Sequence, residues 1–208
     1  MAQPIDLADP NGLWSNPYVD VSENDWFYDA VRFVTIGGLM NGTAADTFSP
    51  DTEMTRAMLV TTLHRREGAP DSDGANVFSD AAEGEWYTKA IIWAAANGVV
   101  NGYDDGTFGV NDPVTREQLV AILYRYSAGK GNGAGLAADW LSAANTGAEI
   151  DLSMYADAVE VSPWALDAVK WAVSAGLIQG RSETSLAPGG SSLRSEVAMI
   201  LKRFYSIV

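Results

Sequence analysis

Cysteine is absent from this 208-residue chain, and histidine occurs once. The first absence excludes disulfides, thiolate nucleophiles and cysteine-ligated zinc. Lys and Arg number only 13 against 27 Asp and Glu, a formal charge of -14. That balance argues against nucleic acid and anionic membranes, because phosphate recognition needs clustered cations. An anionic ligand would have to be held by a few placed cations against the mean field. Long apolar runs are missing too. None approaches the roughly 18 residues that span a bilayer, and no basic segment followed by an apolar one opens the chain. Apolar residues still make up 47% of the chain, enough for a substantial core. The opening Met1-Ala2-Gln3, followed by a Pro/Asp/Gly/Asn-rich lead to Asn16, reads as a start codon joined to an excised piece.

What the chain does contain, it says three times. The first copy carries Tyr18-Val19-Asp20, Trp26, Asn41-Gly42, Phe48 and Thr55-Arg56-Ala57-Met58. The second carries Phe78-Ser79-Asp80, Trp86, Asn101-Gly102, Phe108 and Thr115-Arg116-Glu117-Gln118. The third carries Tyr155-Ala156-Asp157, Trp164, Gln179-Gly180, Leu186 and Leu193-Arg194-Ser195-Glu196. Trp and Arg stand 30 residues apart in every copy, and Trp and Gly 16. Units of this size cannot bury their apolar faces alone, so the copies must pack on one another. The boundaries follow: a lead at 1–16, repeats at 17–68, 76–127 and 152–206, and an insertion or linker at 128–151. The insertion opens with a flexible Gly129–Gly133 stretch. It offers a short helix from Leu136 to Ala144, anchored by Trp140.

Each unit predicts a helix, a turn-rich loop and a second helix. Asn24, Gly84 and Ser162 are acceptable N-caps two residues before the Trp, and Pro163 suits a first helical position. A stripe of spacing four runs Trp26, Ala30, Val34, Gly38, with Trp86, Ala90, Ala94, Gly98 and Trp164, Ala168, Ala172, Gly176 as its counterparts. Phe33, Trp93 and Trp171 add a second aromatic. Gly38, Gly98 and Gly176, each before an apolar residue, predict left-handed C-terminal caps. The second helix begins near Arg56, Arg116 and Arg194. Thr115 and Gln118 form a capping box, Thr55 is a cap without its box, and Leu193 lacks the hydroxyl but keeps Glu196. The fold class expected is all-α: three helix-loop-helix units in one domain of pseudo-threefold arrangement.

The helix-start arginines are the unusual feature. A cation in the first turn opposes the helix dipole by roughly 0.3–1 kcal/mol, yet the sequence places one there in every unit. Free N–H groups at a helix start form an anion site, and a guanidinium beside them adds a bidentate donor matched to carboxylate or phosphate. The plain alternative is that each Arg pairs with an acidic residue of a neighbouring unit, such as Asp20, Asp80 or Asp157. The Trp likewise has two readings, as core or as a ring at a groove that stacks on a sugar face. Catalysis finds little support: His64 sits beside Arg65 and Arg66 with no repeated Ser or Asp arrangement for a triad. Calcium is another possibility, through Asp104-Asp105-Gly106 with Asn111-Asp112, or Asp46 with Asp51, but the spacing is not that of an EF-hand. No cofactor or metal is expected.

With these marks in place, the chain resembles the surface-layer homology module of bacterial cell-envelope proteins over residues 17 to 206. The family's Thr-Arg-Ala-Glu becomes Thr-Arg-Ala-Met, Thr-Arg-Glu-Gln and Leu-Arg-Ser-Glu here. The resemblance implies a three-pronged spindle with ligand grooves between prongs. It implies non-covalent anchoring at the bacterial cell surface, to secondary cell-wall polysaccharide whose acidic, commonly pyruvylated, terminal sugar is received by the helix-start Arg. By match, ligand binding falls to Arg56, Arg116 and Arg194, with Trp26, Trp86, Trp164, Asp20, Asp80 and Asp157 as groove or supporting residues. Repeat two, with its capping box and Asn101-Gly102-Tyr103, looks the most complete, and at least one groove is expected to serve structure only. A protein-interaction or surface-layer self-assembly module is the alternative sharing this fold.

Overall fold

The computed structural model describes residues 14–72, 74–129 and 150–207. The expected linker helix, its Trp140 and most of the lead lie outside these residues. Among the described residues six α-helices form: α1 (Tyr28–Ile36), α2 (Arg56–Arg66), α3 (Thr88–Ala96), α4 (Arg116–Gly129), α5 (Leu166–Ser174) and α6 (Arg194–Ile207), with a 3-10 turn at Ala158–Glu160. No strand forms among the described residues, as an all-α chain requires.

The first helix of each unit starts later than expected. Phe27, Tyr87 and Ala165 occupy the N-cap positions and offer no side-chain cap. The chain winds through a tight turn beforehand, closed in unit one by Ser22 N donating to Asp25 Oδ2 and Tyr28 N to Asp25 O. Asn24, Gly84 and Ser162 belong to these turns and are not caps. Ser162 instead donates its N and Oγ to the Glu117 carboxylate of the preceding unit, both at 2.9 Å. The turn also removes the Trp from the buried stripe: Trp26, Trp86 and Trp164 are 62%, 57% and 53% exposed. Ala30, Val34, Ala90, Ala94, Ala168 and Ala172 of the stripe are buried, as are Phe33, Trp93 and Trp171.

The helix ends follow their glycines. Gly38, Gly98 and Gly176 have φ of 64°, 67° and 66°. The next residues, Leu39, Val99 and Leu177, each return an N–H to the carbonyl five residues earlier at 2.8 Å, and all three are buried. At the second helices, Thr55 accepts from Met58 N at 3.3 Å. Thr115 and Gln118 form the reciprocal box at 3.2 and 3.3 Å, and Leu193 N donates to Glu196 Oε2 at 2.9 Å.

No unit packs its two helices mainly on each other. α2 packs on α3, α4 on α5, and α6 on α1, so each of the main helix pairs joins different repeats and the last element meets the first. One buried cluster runs through all three units, with Leu59, Leu63, Leu119, Leu123, Val197 and Leu201 of the second helices inside it. An aromatic chain threads it: His64 to Trp93 at 5.4 Å, Trp93 to Tyr126 at 6.3 Å, Tyr126 to Phe204 at 6.0 Å and Phe204 to Trp171 at 6.3 Å. His64 is buried, and its Nε2 donates to Pro70 O at 2.8 Å. It is a helix-packing residue.

The residues just ahead of the second helices close a small ring. Met54 N donates to Ser192 O at 2.9 Å, Ser192 N to Val114 O at 2.9 Å, and Val114 N to Met54 O at 2.8 Å. All three residues are at most 1% exposed, so each bond satisfies groups that water cannot reach.

Candidate functional site

The helix-start arginines are buried, at 6%, 5% and 5% exposure for Arg56, Arg116 and Arg194. None pairs with the repeated aspartates. Each guanidinium reaches into the next unit and donates to main-chain carbonyls. Arg56 Nε meets Phe108 O at 2.8 Å, Arg116 Nε meets Leu186 O at 2.7 Å, and Arg194 Nε meets Phe48 O at 2.9 Å. Arg116 Nη2 also donates to Gln179 O at 2.5 Å, and Arg194 Nη2 to Asn41 O at 2.7 Å. Burial pulls all three below the ordinary arginine value, though a guanidinium stays charged at neutral pH.

The N–H groups expected to stand free at these helix starts are taken by carbonyls of the neighbouring unit. Arg56 N donates to Asp112 O at 3.0 Å, Arg116 N to Gly190 O at 2.9 Å, and Arg194 N to Thr52 O at 2.9 Å. The next N–H groups are also taken: Glu117 N by Pro188 O and Ser195 N by Pro50 O, both at 3.0 Å. Carbonyl oxygens from another repeat therefore serve the helix N-terminus and the guanidinium together, which explains how a cation is tolerated at the positive end of a helix dipole.

The aspartates organise the other half of this joint. Asp20 accepts from Phe48 N and Ser49 N at 2.8 and 2.7 Å. Asp80 accepts from Phe108 N, Gly109 N and Val110 N at 2.6 to 3.0 Å. Asp157 accepts from Ser185 Oγ, Leu186 N and Ala187 N at 2.7 to 2.8 Å. Each carboxylate holds the N–H side of the loop residue whose carbonyl receives the Arg. Partial burial works against the charges of Asp80 and Asp157, but their hydrogen bonds outweigh it and hold both carboxyls below the usual range.

Two equivalent grooves open above these joints. The larger, about 380 Å³, is lined by Asn101 to Asp104, the α4 residues Gln118, Ala121, Ile122 and Arg125, Arg56 from the first unit and Trp164 from the third. The second, about 240 Å³, is lined by Asn41 to Thr43, the α2 residues Met58, Thr61, Thr62 and Arg65, Arg194 from the third unit and Trp86 from the second. Each groove thus draws on all three repeats. Arg116 does not serve the loop of its own repeat: it reaches Gln179 and Leu186, while Arg56 serves Asn101-Gly102-Tyr103.

Sequence reading gives Arg65, Arg125 and Arg203 no ligand role, although each stands nine residues after a helix-start Arg. At about 100° per residue that interval is two and a half turns, which sets the second Arg on the opposite side of the helix, and its recurrence in all three units was the available signal. The oxygen-rich loops have local uses: Asp105 Oδ1 accepts from Thr107 N and Oγ1 at 2.9 and 2.6 Å. Among the described residues no group of three or more His, Asp or Glu is placed to hold a metal.

Comparison with known proteins fits this geometry. The family model described as the S-layer homology domain matches residues 17–57, 77–120 and 155–198. A Bacillus endoglucanase is 29% identical over 95% of this chain, which spans 20% of that enzyme. A surface-layer 125 kDa protein of Lysinibacillus sphaericus is 28% identical over 84% of the chain and 14% of its own length. A cellulosome-anchoring protein of Acetivibrio thermocellus is 31% identical over 57% of the chain and 28% of its own length. The chain therefore spans less than a third of each of these relatives. With the model matching every unit, and well over half of all residues, the chain belongs to the S-layer homology domain family.

Proposed function

We propose that this chain is a non-catalytic anchoring module that binds secondary cell-wall polysaccharide in its inter-repeat grooves and so tethers a surface protein to the bacterial envelope. The ligand is an acidic terminal sugar, pyruvylated in the form the family implies, and the three units form a pseudo-threefold, three-pronged spindle. The observation that carries this reading is the pair of equivalent grooves. Each sets a half-exposed Trp from one repeat opposite a guanidinium-bearing helix of another. An indole face stacks on the apolar face of a pyranose, and a guanidinium pairs with its carboxylate. Relatives named for anchoring and for surface layers support the location.

Within the grooves, Trp86 and Trp164 supply stacking, and Arg56 and Arg194 lie at the base. Arg65 and Arg125 supply charge at the rim. Asp20, Asp80 and Asp157 act at one remove, holding the loops. Arg116 and Trp26 belong to the third position of the same register.

The test is co-sedimentation with Gram-positive cell walls, native and stripped of secondary polysaccharide by acid. Binding to native walls that disappears on stripping is expected. Retention on stripped walls contradicts the reading, and retention that needs surface-layer protein on the wall points instead to self-assembly, which relatives named as surface-layer proteins favour.

A further inference from the structure

The three joints share one register, so they differ by substitutions at matching positions. Two residues after the Asn or Gln of the turn stand Thr43, Tyr103 and Arg181. Two after the helix-start Arg stand Met58, Gln118 and Glu196, and nine after it Arg65, Arg125 and Arg203. These substitutions change which guanidinium groups remain available.

At the third position every guanidinium has a partner inside the protein. Arg181 Nη2 lies 3.0 Å from Glu196 Oε2 and donates to Ser191 O at 2.6 Å. Arg203 Nη1 donates to Leu177 O at 3.2 Å, and Arg116 commits both Nε and Nη2 to carbonyls. The Arg181–Glu196 pair puts a carboxylate and a cation where a charged ligand would have to displace them.

The groove beside Asn101 to Asp104 is the opposite case. Arg56 is as buried as its counterparts, yet its guanidinium makes a single hydrogen bond, from Nε to Phe108 O. Its terminal nitrogens have no hydrogen-bond partner among the described residues, and neither has Arg125 at the same groove. The Arg56 terminal nitrogens are not sealed from the groove that Arg56 lines, so an arriving acceptor can take a charge-assisted hydrogen bond from them. Two like charges share this cavity, and an anion between them relieves their repulsion. The groove also has a second aromatic wall that its counterparts lack. The Tyr103 ring centre lies 4.7 Å from the Arg56 guanidinium. It fits because the loop carries Gly109 where the other units have Ser49 and Ala187: a Cβ there would stand 2.5 Å from Tyr103 Cε2 and 2.6 Å from Asp112 Oδ2. Asp104 at the rim can accept from ligand hydroxyls and repels a bare anion, which suits a sugar.

We infer that the groove formed by Asn101 to Asp104 and α4 is the principal receptor for the carboxylated sugar, with Arg56 and Arg125 on the charge and Tyr103 and Trp164 on the ring. The third position, filled by Arg181 and Glu196, is a structural joint that takes no charged sugar. This rests on the glycan-anchoring reading and makes Tyr103 and Arg125 the residues that set affinity and selectivity.

Because Arg56 is buried in the joint, the test uses Arg125→Gln and Tyr103→Thr, the latter installing the residue of unit one. Arg65→Gln and Arg203→Gln serve as matched controls. Purified wall polysaccharide is titrated calorimetrically into each. Losing one charge-assisted contact is expected to weaken binding about tenfold for Arg125→Gln, with a smaller loss for Tyr103→Thr and Arg65→Gln and no change for Arg203→Gln. Equal losses from the three arginine variants, or a loss confined to Arg203→Gln, overturn the inference. If the wild type binds no polysaccharide, the anchoring reading fails. The groove is then tested with methyl glucuronide, followed through arginine side-chain 15N resonances. Shifts at Arg56 and Arg125 uphold the anion site; shifts at Arg181 or Arg203, or none, overturn it.

Discussion

Arg194 contacts residues of unit one that lie 146 and 153 positions away in the chain, and nothing local in the sequence points to them. The Thr-Arg and Leu-Arg helix starts were visible as an anomaly, a cation against a dipole, but their partners are main-chain carbonyls, which no side-chain pattern reports. The Asp residues were equally visible, and the direct pairing with Arg that stood as the plain alternative is instead relayed through one peptide group. Asp80 makes a prediction with a definite sign. Its carboxyl is held below the usual range by three backbone donors, so its contribution is present above the unfolded value of roughly 3.9. It is lost as pH falls through the lower folded value. Asp80→Asn should therefore lower the urea midpoint at pH 7 and have little effect near pH 2. A loss that is the same at both pH values would mean that charge is not what holds the loop.

At the scale of elements, helix identity and helix ends were legible because glycine, capping hydroxyls and period-four stripes act locally. Helix starts in the first half of each unit were not, because a different side chain sets each preceding turn: the Asp25 carboxylate before α1, the Thr88 hydroxyl before α3 and the Glu117 carboxylate of the preceding unit before α5. That turn also brings the Trp out of the core, which spacing alone could not decide. The glycines separate two physical roles. Gly98 and Gly102 both have positive φ, 67° and 72°. An added Cβ at Gly98 meets nothing, whereas at Gly102 it runs into the Phe78 ring and stands 2.8 Å from Thr107 O. Gly98→Ala should cost about 1–2 kcal/mol, the left-handed penalty alone. Gly102→Ala should cost roughly 1–3 kcal/mol more, from overpacking. Equilibrium urea unfolding compares them, and equal costs would remove close approach as the reason for glycine in the Asn-Gly turn.

For the molecule as a whole, the repeat count and the need for repeats to pack on one another were readable from spacing, but the order of packing was not. The main helix pairs form between units, the Met54–Ser192–Val114 ring ties the three together, and each groove takes its Arg, its loop and its Trp from different repeats. Repeat number therefore does not give groove membership: Arg116 reaches the loop of the following repeat, whereas Trp86 and Trp164 reach grooves whose loops belong to the preceding repeat. A double-mutant cycle on Trp164→Ala and Arg125→Gln, read as calorimetric affinity for purified wall polysaccharide, tests the composite groove most directly. Trp164 is half-exposed and Arg125 is free of internal partners among the described residues, so neither change should alter the fold. The two residues stand on different repeats but line one cavity. Each substitution should weaken binding, and the double variant should lose less than the product of the two, a coupling of about 0.5–3 kcal/mol. Strictly multiplicative losses, or no loss from Trp164→Ala, would contradict a single site shared between repeats.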